Sequence, residues 1–324
     1  MIGRLLLSRE SFLLYILMAM FIVFSIFIEG FLDWFSIFER TRYWVIPGMM
    51  AVPMTFIIAT AGIDLSVASI LAMSGIVFGL LYRDAQWCVW SAAAAGVTVG
   101  FAAGTFNGLM SSYMRIPPLV VTLATMALFR GIAMGLSKAQ PISDFPDEFL
   151  WLSLGDILEF DAGASGAVYV PAPLPALAAI TAIGWFLMRR SWVGRFTECI
   201  GENETAAEFA AISVRRFNFA LYAVCGLVCG IAALFNTALY ATAKADTASG
   251  MELEVIACVV IGGTRISGGR GSVAGSLLGL LIIGILRYGL EMAGMKSQHV
   301  VIVVGGLLIA TVMLNELTAR RRGI

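Results

Sequence analysis

The sequence predicts an all-α, polytopic membrane protein with about ten transmembrane segments, an internal pseudo-repeat, and both termini cytoplasmic. Three observations carry this. The chain has 324 residues, 60% of them hydrophobic and 13% charged, with a mean hydropathy of +0.91. A soluble domain carries about 25% charged residues, enough for a polar shell that this chain lacks. Its apolar residues gather into runs near the roughly 20 residues a helix needs to cross ~30 Å of hydrocarbon. Its basic residues then divide unevenly between alternate connections, as the positive-inside rule requires. The formal net charge is zero and His299 is the single histidine. That balance disfavours a nucleic-acid partner, which would favour a basic stripe, and leaves no material for a multi-histidine metal site.

The runs lie at approximately 12–29, 44–61, 65–82, 88–112, 118–137, 171–188, 217–240, 252–264, 272–291 and 297–315. The first follows Arg4 and Arg9, but Leu13 to Ile28 is long for a signal-peptide core. Glu29-Gly30-Phe31 offers no small-x-small cleavage site, so an uncleaved helix is expected. Pro53 predicts a kink or break in the second run. Asp64 precedes the third and suits a helix N-terminus, where a carboxylate meets free N–H groups. Pro117-Pro118 opens the fifth, where proline is tolerated. Cys225 and Cys229 share one face of the seventh and read as packing residues; five cysteines without paired spacing suggest neither metal nor redox work. The eighth run, at about 1.5 Å per residue, is too short to cross as one straight helix and is expected to re-enter or to borrow its neighbours. Arg287 and Glu291, four apart in the ninth, read as a snorkelling pair.

With the N-terminus inside, the inner segments hold Arg4, Arg9, Arg115, Arg189, Arg190, Arg195, Arg215, Arg216, Arg265, Arg270, Arg320, Arg321 and Arg322. The outer segments hold only Arg40, Arg42, Arg83, Lys138, Lys244 and Lys296. The chain is therefore read as one transmembrane domain over 1–324, with two loops too long to be mere connections. The outer one, 138–170, mixes acids with Phe145, Phe149, Leu150, Trp151 and Leu154, spaced for one face of a short interfacial helix. It is expected to be exposed, with Ser153 a position where a cysteine would report that exposure. The inner one, 189–216, contains a predicted helix over Asn203 to Ile212, capped by Asn203. Its low-profile alanines, Ala206, Ala207, Ala210 and Ala211, would let a partner approach closely, and Ala207→Arg is expected to block uptake.

Gly262-Gly263-Thr264-Arg265-Ile266-Ser267-Gly268-Gly269-Arg270-Gly271-Ser272 joins runs eight and nine. It is not a Walker loop, because no lysine of this chain follows the required glycine. The segment echoes Ala61-Gly62-Ile63-Asp64-Leu65-Ser66 between runs two and three, a parallel repeat of the kind transporters carry. Within the runs, Asn107, Thr122, Thr125, Arg130 and Asn236 could line a polar pathway or bond across helices.

These residues together resemble a known family. Gly62-Ile63-Asp64-Leu65-Ser66-Val67 looks like the G-I-D-L-S-V signature of bacterial ABC-importer permeases of the ribose/xylose/autoinducer-2 type. Asn107-Gly108 with Ile116-Pro117-Pro118 through Met126, then Arg130-Gly131, resembles that family's N-G…I-P-P-F-I-V-T-L-A-T-M block. Gly201, Asn203, Ala206, Ala207 and Ile212 resemble its ATPase-coupling motif, and the glycine-rich segment its last signature. Glu204, Thr205, Glu208 and Ala211 depart from the coupling motif, as does Leu119-Val120 from P-P-F-I. The resemblance implies a permease subunit of the inner membrane that moves a sugar or sugar-like solute. It implies a cytoplasmic ATP-binding subunit on 201–212, an extracytoplasmic solute-binding protein, and a second permease chain. It implies no catalysis and no cofactor bound by this chain, the ATP and Mg being used by the ATPase. A branched-chain-amino-acid-type permease is the nearest alternative. An ion-coupled transporter would favour paired buried carboxylates, and a membrane enzyme clustered His, Asp or Glu.

Overall fold

A computed structural model describes residues 9–161 and 167–321; Arg4, Arg322 and the middle of the outer loop lie outside them. Each of the ten apolar runs is helical. They are α1 (Arg9–Phe27), α2 (Trp34–Ala59), α3 (Val67–Arg83), α4 (Val89–Gly108), α5 (Pro118–Ser137), α7 (Leu174–Arg190), α10 (Val214–Tyr240), α11 (Met251–Ile261), α12 (Val273–Met292) and α13 (Ser297–Arg321). The connections add α6 (Asp147–Leu154), α8 (Trp192–Glu202), α9 (Glu204–Phe209) and a hairpin, β1 (Asp156–Asp161) with β2 (Ala167–Pro171). Among the described residues, six helices are long and apolar enough to cross a membrane: α1, α2, α4 with its extension to Tyr113, α5, α10 and α12. The short eighth run is α11, eleven residues long. The chain is thus an all-α polytopic membrane protein carrying one small hairpin.

One apolar core runs from Leu13 on α1 to Val304 on α13. At its centre α2 is buried along most of its length. Pro47 and Pro53 both sit inside this helix, which continues through them; the expected break does not occur, because packing on α10, α11 and α12 holds the turn that Pro53 leaves without an N–H. The tightest crossing is α4 on α10. A Cβ on Gly100 would stand 2.6 Å from the Gly226 carbonyl, so only glycine lets these backbones meet. Cys225 and Cys229 are both buried on α10, as packing residues.

Hydrogen bonds sort the connections into two ends. At one end Glu10 accepts from Arg189 (2.6 Å) and Ser272 (2.8 Å), and the Gly269 N–H donates to the Ala59 carbonyl (2.9 Å). At the other, Ile142 and Ala243 pair through both backbone bonds, and Arg40 meets Glu291 (3.0 Å). Arg287 instead meets Glu254 on α11 at 3.0 Å. The expected Arg287–Glu291 pair therefore does not form: each side chain finds its partner on another helix.

The outer loop is built rather than loose. Phe145 stacks on Phe78 of α3 and Phe149 packs tilted against it, with ring centroids 5.0 and 4.8 Å away. Trp151 and Leu154 remain exposed. Ser153 is only 2% exposed and donates to the Phe235 carbonyl (2.7 Å), so it cannot report surface exposure; Leu158 on β1 can. What the loop's sequence did not reveal is Arg42. This side chain is 4% exposed and donates to the carbonyls of Ser153 (2.6 Å) and Gly155 (2.8 Å), to Asp156 (2.6 Å) and to Glu39 (2.9 Å). Five donors in a rigid fork suit such a clamp.

Candidate functional site

The end that carries Glu10, Arg189 and Ser272 also gathers both junction motifs and the coupling motif. The first junction, 60–66, turns α2 into α3. Asp64 is buried; its Oδ1 accepts from the Ser66 N–H (2.8 Å) and hydroxyl (2.6 Å). Ser66 in turn accepts from the Asn107 amide on α4 (2.7 Å), and Thr122 of α5 donates to the Ile63 carbonyl (3.1 Å). Burial raises the Asp64 carboxyl above its ordinary range, against the hydrogen bonds from Ser66 that lower it. Its Oδ2, the Asn107 Oδ1 and the Tyr222 hydroxyl have no hydrogen-bond partner among the described residues. The Tyr222 hydroxyl stands against Gly62, 2.8 Å from where a Cβ would lie.

The second junction, 262–272, turns α11 into α12 through a longer glycine-rich link: α11 ends on Gly262, whereas α2 ends on Thr60 and Ser66 makes no side-chain cap on α3. Ser272 caps α12 by accepting from the Gly275 N–H (3.1 Å). Gly268 and Gly269 both have positive φ, 85° and 81°, which L side chains rarely adopt.

The long inner loop touches both junctions. Helix α8 ends at Gly201–Glu202, where the Gly201 Cα lies so close to the Ala59 carbonyl and Gly269 amide that any Cβ would collide with both. Asn203 caps α9 as expected, accepting from the Ala206 N–H (2.9 Å). Ala206, Ala210 and Ala211 are exposed, but Ala207 is buried with Ile200 and Val214, against Phe196, Ile212 and Phe217. Ala207 therefore anchors the loop, and an arginine there would disrupt it before testing any docking. The residue presented outward is Phe209, 89% exposed, which alanine spacing did not single out.

Helix α4 closes toward this site in a π-helical turn, Leu109–Tyr113, a form often found at functional places. Between that turn, the first junction and α9 opens a cavity of about 490 Å³ lined by Gly62, Ser112, Arg115, Glu204, Asn218 and Tyr222 among others. The remaining polar residues lie elsewhere. Arg130 donates to the Ala245 and Thr247 carbonyls (both 2.7 Å), Asn236 to the Thr247 hydroxyl (3.0 Å), and Thr125 to the Thr122 carbonyl (3.3 Å). Each thus has a partner within this chain. Among the described residues no cluster of His, Cys, Asp and Glu could hold a metal ion.

Residues 36–312 match the family described as branched-chain amino acid transport system / permease component. The autoinducer 2 import system permease protein LsrD of Klebsiella pneumoniae is 32% identical over 99% of this chain and 95% of its own length. The ribose import permease protein RbsC of Bacillus subtilis is 35% identical over 91% of this chain and 89% of its own. The D-allose transport system permease protein AlsC of Escherichia coli is 32% identical over 82% and 78%. No solved structure matches. With the family match covering most of its length and relatives aligned nearly end to end, this chain belongs to that family of transport permeases.

Proposed function

We propose that the chain is the membrane permease of an ABC importer for a sugar or sugar-like polar solute, driven by a separate cytoplasmic ATPase. The observation that carries this is the packing of Gly201 onto both glycine junctions at once. A push on α9 is passed by the end of α8 to the end of α2 and to the second junction, which Gly201 meets by backbone contact. Relatives named for ribose, D-allose and autoinducer 2 import supply the substrate class.

In this reading ten spans leave both termini cytoplasmic, and the basic residues of the α8–α9 end follow the positive-inside rule. The ATPase docks on 201–212, with Gly201, Asn203, Ala206, Ala207 and Ile212 shaping the dock and Phe209 presented from it. Gly62, Asp64, Ser66, Gly262, Gly263, Gly268 and Gly269 form the junctions that move. An outside solute-binding protein meets the α6–hairpin end, and a second permease chain completes the path. Asn107, Thr122, Thr125, Arg130 and Asn236 hold the pathway walls. ATP and Mg belong to the ATPase, and no covalent chemistry falls to this chain.

The test is uptake by cells expressing the permease with its cognate ATPase and binding protein, offered labelled ribose, allose or leucine. Accumulation of a sugar that stops with an ATPase-dead partner supports the reading. Accumulation of leucine alone would transfer the chain to amino-acid import.

A further inference from the structure

Away from the junctions, α2, α7, α8 and α10 leave an apolar groove of about 330 Å³, within the range of ligand sites, with Ile183, Trp192 and Val224 exposed along it. Its walls include Pro53 and Phe56 of α2, Ile183 and Leu187 of α7, and Leu221 and Val224 of α10, with Trp192 of α8 at one end. The shape follows from sequence. Gly184 draws α7 onto Val52, and Pro53 presents a ring rather than a long side chain at the groove floor.

The Trp192 end is the basic one. Arg190 lies three residues beyond Leu187 and seven beyond Ile183, so it continues the groove face of α7 through its last turn. Arg216 directly precedes Phe217, another wall residue, in the first turn of α10. Both are exposed, and neither has an ion-pair partner among the described residues, whereas Arg189 is taken by Glu10. Helix α8 turns Trp192, Val193 and Phe196 to one side and Arg195, Glu198 and Glu202 to the other, so its acids point away from the groove.

We propose that this groove binds an anionic phospholipid of the leaflet on the α8 side, its acyl chain along the apolar walls and its phosphate between Arg190 and Arg216. Tryptophan at the headgroup level and arginines beyond an apolar track are the groups that such a lipid meets at a bilayer boundary.

The full-length chain, reconstituted in phosphatidylcholine vesicles, is mixed with brominated phosphatidylglycerol or brominated phosphatidylcholine at equal mole fraction. The signal is the quenching that disappears in Trp192→Phe. Brominated phosphatidylglycerol should quench it at the lower concentration, and Arg190→Gln and Arg216→Gln should each weaken that preference by roughly fivefold, while Arg195→Gln leaves it unchanged. Equal quenching by the two lipids, or an unaltered preference in the double variant, overturns the proposal as ordinary annular contact. Absence of Trp192-dependent quenching overturns it in favour of a groove covered by another chain. Val224→Trp fills the groove without touching the arginines. It should lower the phosphatidylglycerol that copurifies, read by mass spectrometry; full retention would also refute the site.

Discussion

Replacing Arg42 with methionine tests the outer clamp in a form that can be worked from distances. The guanidinium holds two backbone carbonyls, of Ser153 and Gly155, at 2.6 and 2.8 Å while itself 4% exposed. Stripping the buried Ser153 carbonyl of its partner costs roughly 1–3 kcal/mol, whereas the Gly155 carbonyl keeps the Ala172 N–H (2.9 Å). The ion pairs add little, since Asp156 and Glu39 are 37% and 46% exposed. Some of the penalty is relieved as water reaches the freed carbonyl, leaving about 1–2 kcal/mol of lost protection for the α6–β1 corner. The readout is a cysteine at Ser153, buried in the intact protein. At ~1.36 kcal/mol per decade, its labelling by an impermeant thiol reagent should quicken by roughly 5- to 30-fold in the Arg42→Met background. A cysteine at Leu158, already exposed, should label equally in both. If the Ser153 cysteine reacts no faster after Arg42 is removed, the clamp does not hold this corner.

Three further outcomes follow from the same structure. Gly201→Ala should cost about 1–3 kcal/mol as the loop is forced off the junctions, and uptake should fall while membrane insertion, followed by blotting, is kept; normal uptake would disprove the close approach. Asn203→Ala should lose about 1 kcal/mol of helix capping and speed proteolysis within 203–212, with Asn203→Asp restoring protection. Phe209→Asp should leave detergent melting unchanged, because the side chain touches little, yet strip the copurifying ATPase; retention of the ATPase would remove Phe209 from the dock.

The helices and the sorting of the connections were legible along the chain because both are local properties. Apolar length names a helix, and arginine placement sorts its ends. The Asn203 cap was legible for the same reason: the side chain reaches an N–H three residues on. Pairings over long separations were not. Arg287 and Glu291 have ideal helical spacing, yet their partners, Glu254 and Arg40, come from other helices. Ala207 and Phe209 sit in one six-residue helix, and sequence offered the alanine as exposed. Packing against Val214, beyond the following turn, reverses that order. The hairpin escaped notice because 156–161 alternates weakly and its pairing is set by a partner strand across the loop.

The sequence by itself determined that this is a helical membrane permease: composition answers to the solvent, and a signature is a string. The tertiary structure alone decided that Gly201 joins two junctions some 200 residues apart in the repeat. It also decided that Arg42 is a clamp rather than one more outer charge. Those roles rest on distances between atoms far apart in the chain, and such distances exist only once the helices have packed.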